Sequence, residues 1–222
     1  AGFPNETVTK GLDGLSKRLR SYYEQGARFA KWRAVIDIAD GIPTWGCIKS
    51  NAHALARYAR ICQQEQIVPI VEPEVLMDGN HDAARCDEVT RWMLQTTFNE
   101  LAEQRVALEG IVLKPNMIVA GKGSVRQASV DEVAERTIAA LKSTVPSAVP
   151  GIAYLSGGQS DELATAHLSR MNEVGGFPWK MTFSYGRALQ AAPQKAWSGK
   201  SENPAAAQRA YQHPARRNGL ER

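Results

Sequence analysis

Cysteine is scarce in this chain of 222 residues: Cys47, Cys62 and Cys86, an odd number with no CxxC spacing. That excludes a disulfide framework and points to free thiols in a reducing compartment. Histidine is equally sparse, with His53, His81, His167 and His213 far apart. Without an HxxxH pair or a Cys/His cluster, no metal site is expected, and no other cofactor motif appears. Neither GxGxxG nor a Walker sequence is present, so the usual dinucleotide and nucleotide cradles are excluded. No apolar run approaches the length of a membrane span and no leader pattern is seen, so no membrane role is expected and the cytoplasm is the default location. Excess charge of one sign is small, +4 from 27 basic and 23 acidic residues. Much of it lies in the tail from Ala192 onward. No basic-aromatic pattern argues for nucleic acid. What remains, 43% apolar and 23% charged, is ordinary for a globular protein.

Five short apolar or β-branched runs stand out. They are "RFAKWRAVI" (Arg28–Ile36), "IVPIVEPEV" (Ile67–Val75), "GIVLKP" (Gly110–Pro115), "GIAYLS" (Gly151–Ser156) and "WKMTFSYG" (Trp179–Gly186). Helical patterns separate them: Asn51–Gln64, Asp82–Gln104, Ser129–Ser143 and Ser160–Val174, with another at about Leu12–Gln25 before the first run. "SVDE" at Ser129–Glu132 is a capping box, and Ser160 is an N-cap. Strand alternating with helix predicts parallel βαβ units. Polar residues recur near the ends of successive strands, Lys31, Glu72, Lys114 and Ser156, at intervals of 41, 42 and 42 residues. That arrangement suits a (β/α)8 barrel, whose sites sit at the carboxyl ends of its strands.

Side chains two apart on a strand share a face. "AKWR" therefore places Lys31 and Arg33 together, and "EPE" places Glu72 and Glu74 together. If both faces point inward, two cations and two carboxylates meet Lys114. A single ion pair of this kind is more often structural than catalytic. Three successive strands bringing charge to one place argue for a site, and near balance of sign makes the burial tolerable. Lysine is seldom buried unless paired. A buried lysine lends itself to one chemistry in particular, attack of its neutral amine on a carbonyl. Two glycine-containing strand exits follow. "LSGGQS" (Leu155–Ser160) leads into a helix N-terminus, where free N–H groups favour a phosphate. "SYGRALQ" (Ser184–Gln190) adds an arginine able to grip one.

The motifs "FAKWR", "IVPIVEPE", "LKPNM", "LSGGQS" and "TFSYGRALQ", in this order from about Gly11 onward, strongly resemble the Schiff-base, class I fructose-1,6-bisphosphate aldolases. The resemblance implies a TIM (β/α)8 barrel of which this chain supplies about the last five strands and their helices. It implies one domain over residues 1–222, incomplete at its amino end, with a helical or tail segment over about 192–222. By resemblance Lys114 forms the imine with the ketose carbonyl. Glu72 acts as acid and base for carbinolamine formation and dehydration. Lys31 assists electrostatically, and Glu74 supports the lysines by hydrogen bonding. Ser156, Gly157, Ser184, Gly186 and Arg187 hold the phosphate beside the carbonyl, and Arg33 faces the second phosphate. The substrate is a sugar bisphosphate, no cofactor is needed, and the family implies a homotetramer. Two departures are expected. The family's aspartate base and distal phosphate residues lie on strands before this chain begins, and its carboxyl-terminal tyrosine is not evident, since Tyr211 is too early. A non-catalytic role, binding sugar phosphates or a protein partner, therefore stays open beside the enzyme. A transaldolase-type Schiff-base barrel fits less well, because both phosphate loops and "EPE" match the aldolase pattern.

Overall fold

The structure, a computed structural model, describes residues 1–220. Five strands form one parallel sheet in sequence order. They are β1 (Phe29–Ile36), β2 (Val68–Val75), β3 (Val112–Leu113), β4 (Gly151–Tyr154) and β5 (Lys180–Phe183). Between them run α2 (Trp45–Gln64), α3 (Ala83–Glu103), α4 (Val130–Thr144) and α5 (Asp161–Val174), after an initial α1 (Leu15–Glu24). The chain closes with α6 (Arg187–Trp197) and α7 (Pro204–Leu220). This is the parallel α/β architecture expected of the barrel family, with the strand count the sequence predicts. The segment placed at about 192–222 begins earlier as helix, at Arg187. Its last residues, Glu221 and Arg222, lie outside the described ones.

Alternation on β1 divides the molecule. Trp32, Ala34 and Ile36 are buried against the helices, while Lys31 and Arg33 stand on the other face. On α2, Ile48, Ala52, Leu55, Ala59 and Cys62 recur at the helical period and are all buried. The small residues among them let the helix lie close to the sheet. Trp32 stacks on Tyr58 of α2 at 5.4 Å between centroids. The three cysteines are free thiols within this core. Trp179 is buried and donates to the Pro146 carbonyl (2.9 Å), and Trp92 stacks on Trp45. Packing thus accounts for Trp32, Trp92 and Trp179, whereas Trp197 is half exposed.

Helix starts follow their caps. Ser129 and Ser160 accept from the N–H groups of Glu132 and Leu163, both at 3.2 Å. In the "SVDE" box, Glu132 turns its carboxylate to Arg126 and Arg136. Asp82 caps α3 in the same way, so the stretch "DGNHD" (Asp78–Asp82), whose sequence favours a turn and cap over a metal site, is a turn and cap. The structure corrects the start of α2, which begins at Trp45 and not at Asn51. Thr44 is the cap, accepting from Cys47 N–H, and Glu6 receives both its backbone and hydroxyl hydrogens at 2.6 Å. That distant partner hid the start. β3 is also shorter than "GIVLKP" suggests. Pro115 has no N–H to give the ladder, and beyond it a side chain takes over the pairing with β2, Asn116 Oδ1 accepting from Val75 N–H at 3.0 Å.

Candidate active site

The register of the sheet assembles the charges. β1 and β2 pair Arg33 with Glu72 and Val35 with Glu74. Strand side chains lean along their strand, so each cation reaches a carboxylate diagonally. Lys31 Nζ lies 2.8 Å from Glu72 Oε2, and Arg33 Nε donates to Glu74 Oε2. β2 and β3 pair Ile70 with Val112 and Val71 with Leu113. One residue further, the Lys114 N–H still bonds the Val71 carbonyl at 2.8 Å. This sets Lys114 beside Glu72, with Nζ 3.1 Å from Oε1. Glu72 therefore holds one ammonium on each carboxylate oxygen.

Burial is uneven across this group. Glu72 is 2% exposed and Lys114 7%, whereas the Lys31 side chain is 44% exposed. Lys114 is buried as expected, and its ammonium faces the Glu72 carboxylate. Lys31 and Glu72 lie within their strands and not at strand ends, because β1 and β2 run past them to Ile36 and Val75. Glu74 also differs from expectation: its bond goes to Arg33. That bond holds the guanidinium above its usual range.

Across the cavity lie the two phosphate-type loops. Leu155 N–H bonds the Pro115 carbonyl (3.3 Å) and Ser184 N–H the Tyr154 carbonyl (2.8 Å), so each loop is anchored to the strand before it. Gly157 and Gly158 both adopt the left-handed region, φ 61° and 90°, which exposes their N–H groups in a tight turn. The turn is braced from behind. Gln159 Nε2 donates to the Ser156 carbonyl at 3.0 Å, and Gln159 Oε1 lies 2.6 Å from Nδ1 of the buried His167. Burial pushes that imidazole down to about 4, so His167 is neutral and Nδ1–H is the donor. His53, by contrast, is half exposed and meets Glu100 at 2.8 Å.

Every candidate named from the sequence lines one open cavity of about 590 Å³: Lys31, Arg33, Glu72, Glu74, Lys114, Ser156, Gly157, Ser184, Gly186 and Arg187. Val35, Leu76, Asp78 and Leu155 complete the lining. Asp78, which the sequence offers only as part of a turn, continues the period-two series Glu72, Glu74, Leu76 past the end of β2 and so reaches the cavity. A larger concavity of about 820 Å³ lies between α5 and β5 around Phe177 and Met181, away from these charges. Among the described residues, no group of three or more His, Cys, Asp or Glu converges as metal ligands. No helix among them is long and apolar enough to cross a membrane.

The family model for class-I fructose-bisphosphate aldolase matches residues 1–222. The chain belongs to the class-I fructose-bisphosphate aldolase family. A probable class 1 aldolase of Xanthomonas campestris pv. campestris is 57% identical over 99% of this chain. Fructose-bisphosphate aldolase 1 of Toxoplasma gondii is 54% identical over 97% of it. The cytosolic fructose-bisphosphate aldolase 4 of Arabidopsis thaliana is 50% identical over 98% of it. The chain spans 66%, 60% and 56% of these relatives' lengths. In three dimensions it is similar to the aldolase of Plasmodium falciparum, solved with TRAP and a small-molecule inhibitor. The TM-score is 0.95 at 46% identity, covering 100% of this chain and 65% of that one.

Proposed function

We propose that this protein reversibly cleaves fructose 1,6-bisphosphate to dihydroxyacetone phosphate and glyceraldehyde 3-phosphate through an imine on Lys114. The observation that carries this is the bridge from the buried Lys114 through the buried Glu72 to the half-exposed Lys31, in a cavity also lined by two glycine loops and an arginine. An ammonium cannot attack a carbonyl. Glu72, 3.1 Å away, takes the proton from Lys114, and Lys31 holds the carboxylate in place for that transfer. The freed amine adds to the C2 carbonyl. Glu72 returns that proton to the carbinolamine oxygen, then takes a second proton from the carbinolamine nitrogen and delivers it to the hydroxyl, which leaves as water. The resulting iminium accepts the electron pair of the broken C3–C4 bond as an enamine, which is why an amine is needed, while the C4 hydroxyl gives its proton to the aspartate base that the family carries on an earlier strand and becomes the aldehyde. Ser156, Gly157, Ser184, Gly186 and Arg187 hold the phosphate next to the carbonyl, and Arg33, steadied by Glu74, faces the other end of the sugar. No metal or other cofactor enters this scheme. The same reading gives a cytoplasmic homotetramer, to be checked by light scattering and fractionation.

Dihydroxyacetone phosphate followed by borohydride should leave a reduced adduct on Lys114, seen by peptide mass spectrometry. An adduct on Lys31 with Lys114 unmodified would sink the assignment. A protein that only binds sugar phosphates, or uses the surface for a partner, would bind the ligand and form no adduct at all.

A further inference from the structure

We infer that Lys122 is a second phosphate-binding cation of this site, facing Arg187 across the Gly157–Gly158 turn and held in reserve by Asp78. The inference rests on the cavity being a sugar-phosphate site and adds a residue to it. A Cβ placed on Gly158 would stand 3.0 Å from Lys122 Nζ and 3.2 Å from Arg187 Nη2. Two cations thus converge on one point above a turn whose backbone is already shaped for an anion. Glycine at 158, with φ 90°, is what leaves that point open.

Lys122 does not arrive there by chance flexibility. Its loop, after β3, is zipped to the loop after β2 by three backbone bonds. Gly121 N–H bonds the His81 carbonyl, Lys122 N–H that of Met77 and Gly123 N–H that of Gly79, all at 2.8 Å. A side chain at Gly121 would collide with the Gly79 backbone, and one at Gly123 with Asn80. The sequence Gly-Lys-Gly therefore places a single long side chain at a fixed root, aimed toward the turn.

The charges are unbalanced in the way an anion would correct. Lys122 Nζ lies 2.9 Å from Asp78, whose side chain is 63% exposed. Arg187 has no ion pair among the described residues. One exposed carboxylate thus pairs with one of the two cations, and the other has none among the described residues. A phosphate monoester dianion beside the substrate carbonyl supplies the missing negative charge, and Lys122 transfers from Asp78 to it.

The experiment measures dissociation constants for dihydroxyacetone phosphate and for inorganic phosphate in the protein as encoded. The variants are Lys122→Met, Lys122→Arg and Asp78→Asn. Lys122→Met should weaken both ligands about three- to tenfold, a charge-assisted bond discounted for partial exposure. Lys122→Arg should restore most of the loss. Asp78→Asn should tighten binding about twofold, because it releases the lysine. Unchanged affinity in Lys122→Met overturns the inference. So does weakening by Asp78→Asn equal to that of Lys122→Met, which would make the pair a structural clasp. Borohydride trapping on Lys114 at saturating ketose separates the two questions. If the wild type fails to trap, the aldolase reading falls, while the inorganic phosphate titration still decides Lys122.

Discussion

Glu72 is the residue on which the site turns, because it answers two ammoniums from a position almost without solvent. Glu72→Gln keeps the shape but cannot shuttle a proton. Imine formation, followed by single-turnover trapping on Lys114, should slow roughly a hundred- to ten-thousand-fold, while phosphate affinity changes little. A loss of less than fivefold would remove Glu72 as the acid–base group. Arg187 belongs to the other half of the task. It is exposed at the rim, so Arg187→Ala should weaken dihydroxyacetone phosphate by about 1–2 kcal/mol, below the upper range for a charged bond. A titration showing equal affinity would take Arg187 out of the site. His167 acts further back, through Gln159, on the turn that presents Gly157.

At the scale of elements, α5 is tied to function at both its cap and its interior. Ser160 closes its first turn directly after the glycine pair. Ser160→Ala should cost about 1 kcal/mol, read as a lowered thermal midpoint. His167, about two helical turns further on, makes the helix sensitive to acid. Its folded pKa of about 4 lies below the ordinary histidine value near 6.5. The unfolded chain therefore binds the extra proton first, and stability present above pH 6.5 is lost as pH falls toward 4. Urea midpoints at pH 7.5 and pH 5 should diverge more for the wild type than for His167→Gln, by on the order of 1–2 kcal/mol. Parallel shifts in the two proteins would show that His167 is not the titrating group. Elements also carried what the sequence concealed. α2 begins at Trp45 with Thr44 as its cap, a cap completed by Glu6, a carboxylate 38 positions away, and no local pattern reports such a partner.

For the whole molecule, β1 and β5 each have a paired neighbour on one side only. Unpaired strand edges template association, and Phe29 on β1 is 68% exposed. Produced as these 222 residues alone, the chain should self-associate and bind an apolar dye. Monodisperse behaviour by light scattering with no dye fluorescence would contradict this. On β1 the charged Lys31 and Arg33 stand on the face opposite Trp32, Ala34 and Ile36 and open into the cavity.

The sequence by itself determined the strand–helix alternation, the parallel sheet and the charged faces of β1 and β2. Each of these follows from local periodicity, and periodicity is written residue by residue. It also placed Lys114 and both glycine turns, since "LKPNM", "LSGGQS" and "SYGRALQ" are contiguous stretches whose chemistry is legible in place. Only the tertiary structure decided who answers whom. That Glu72 spans Lys31 and Lys114, that Glu74 holds Arg33 and leaves the lysines alone, and that Lys122 faces Arg187 are matters of sheet register and loop-to-loop bonding. Those bonds join residues about 40 positions apart along the chain. A period of two tells which face a side chain takes; it says nothing about the offset between neighbouring strands, and that offset set the partners here.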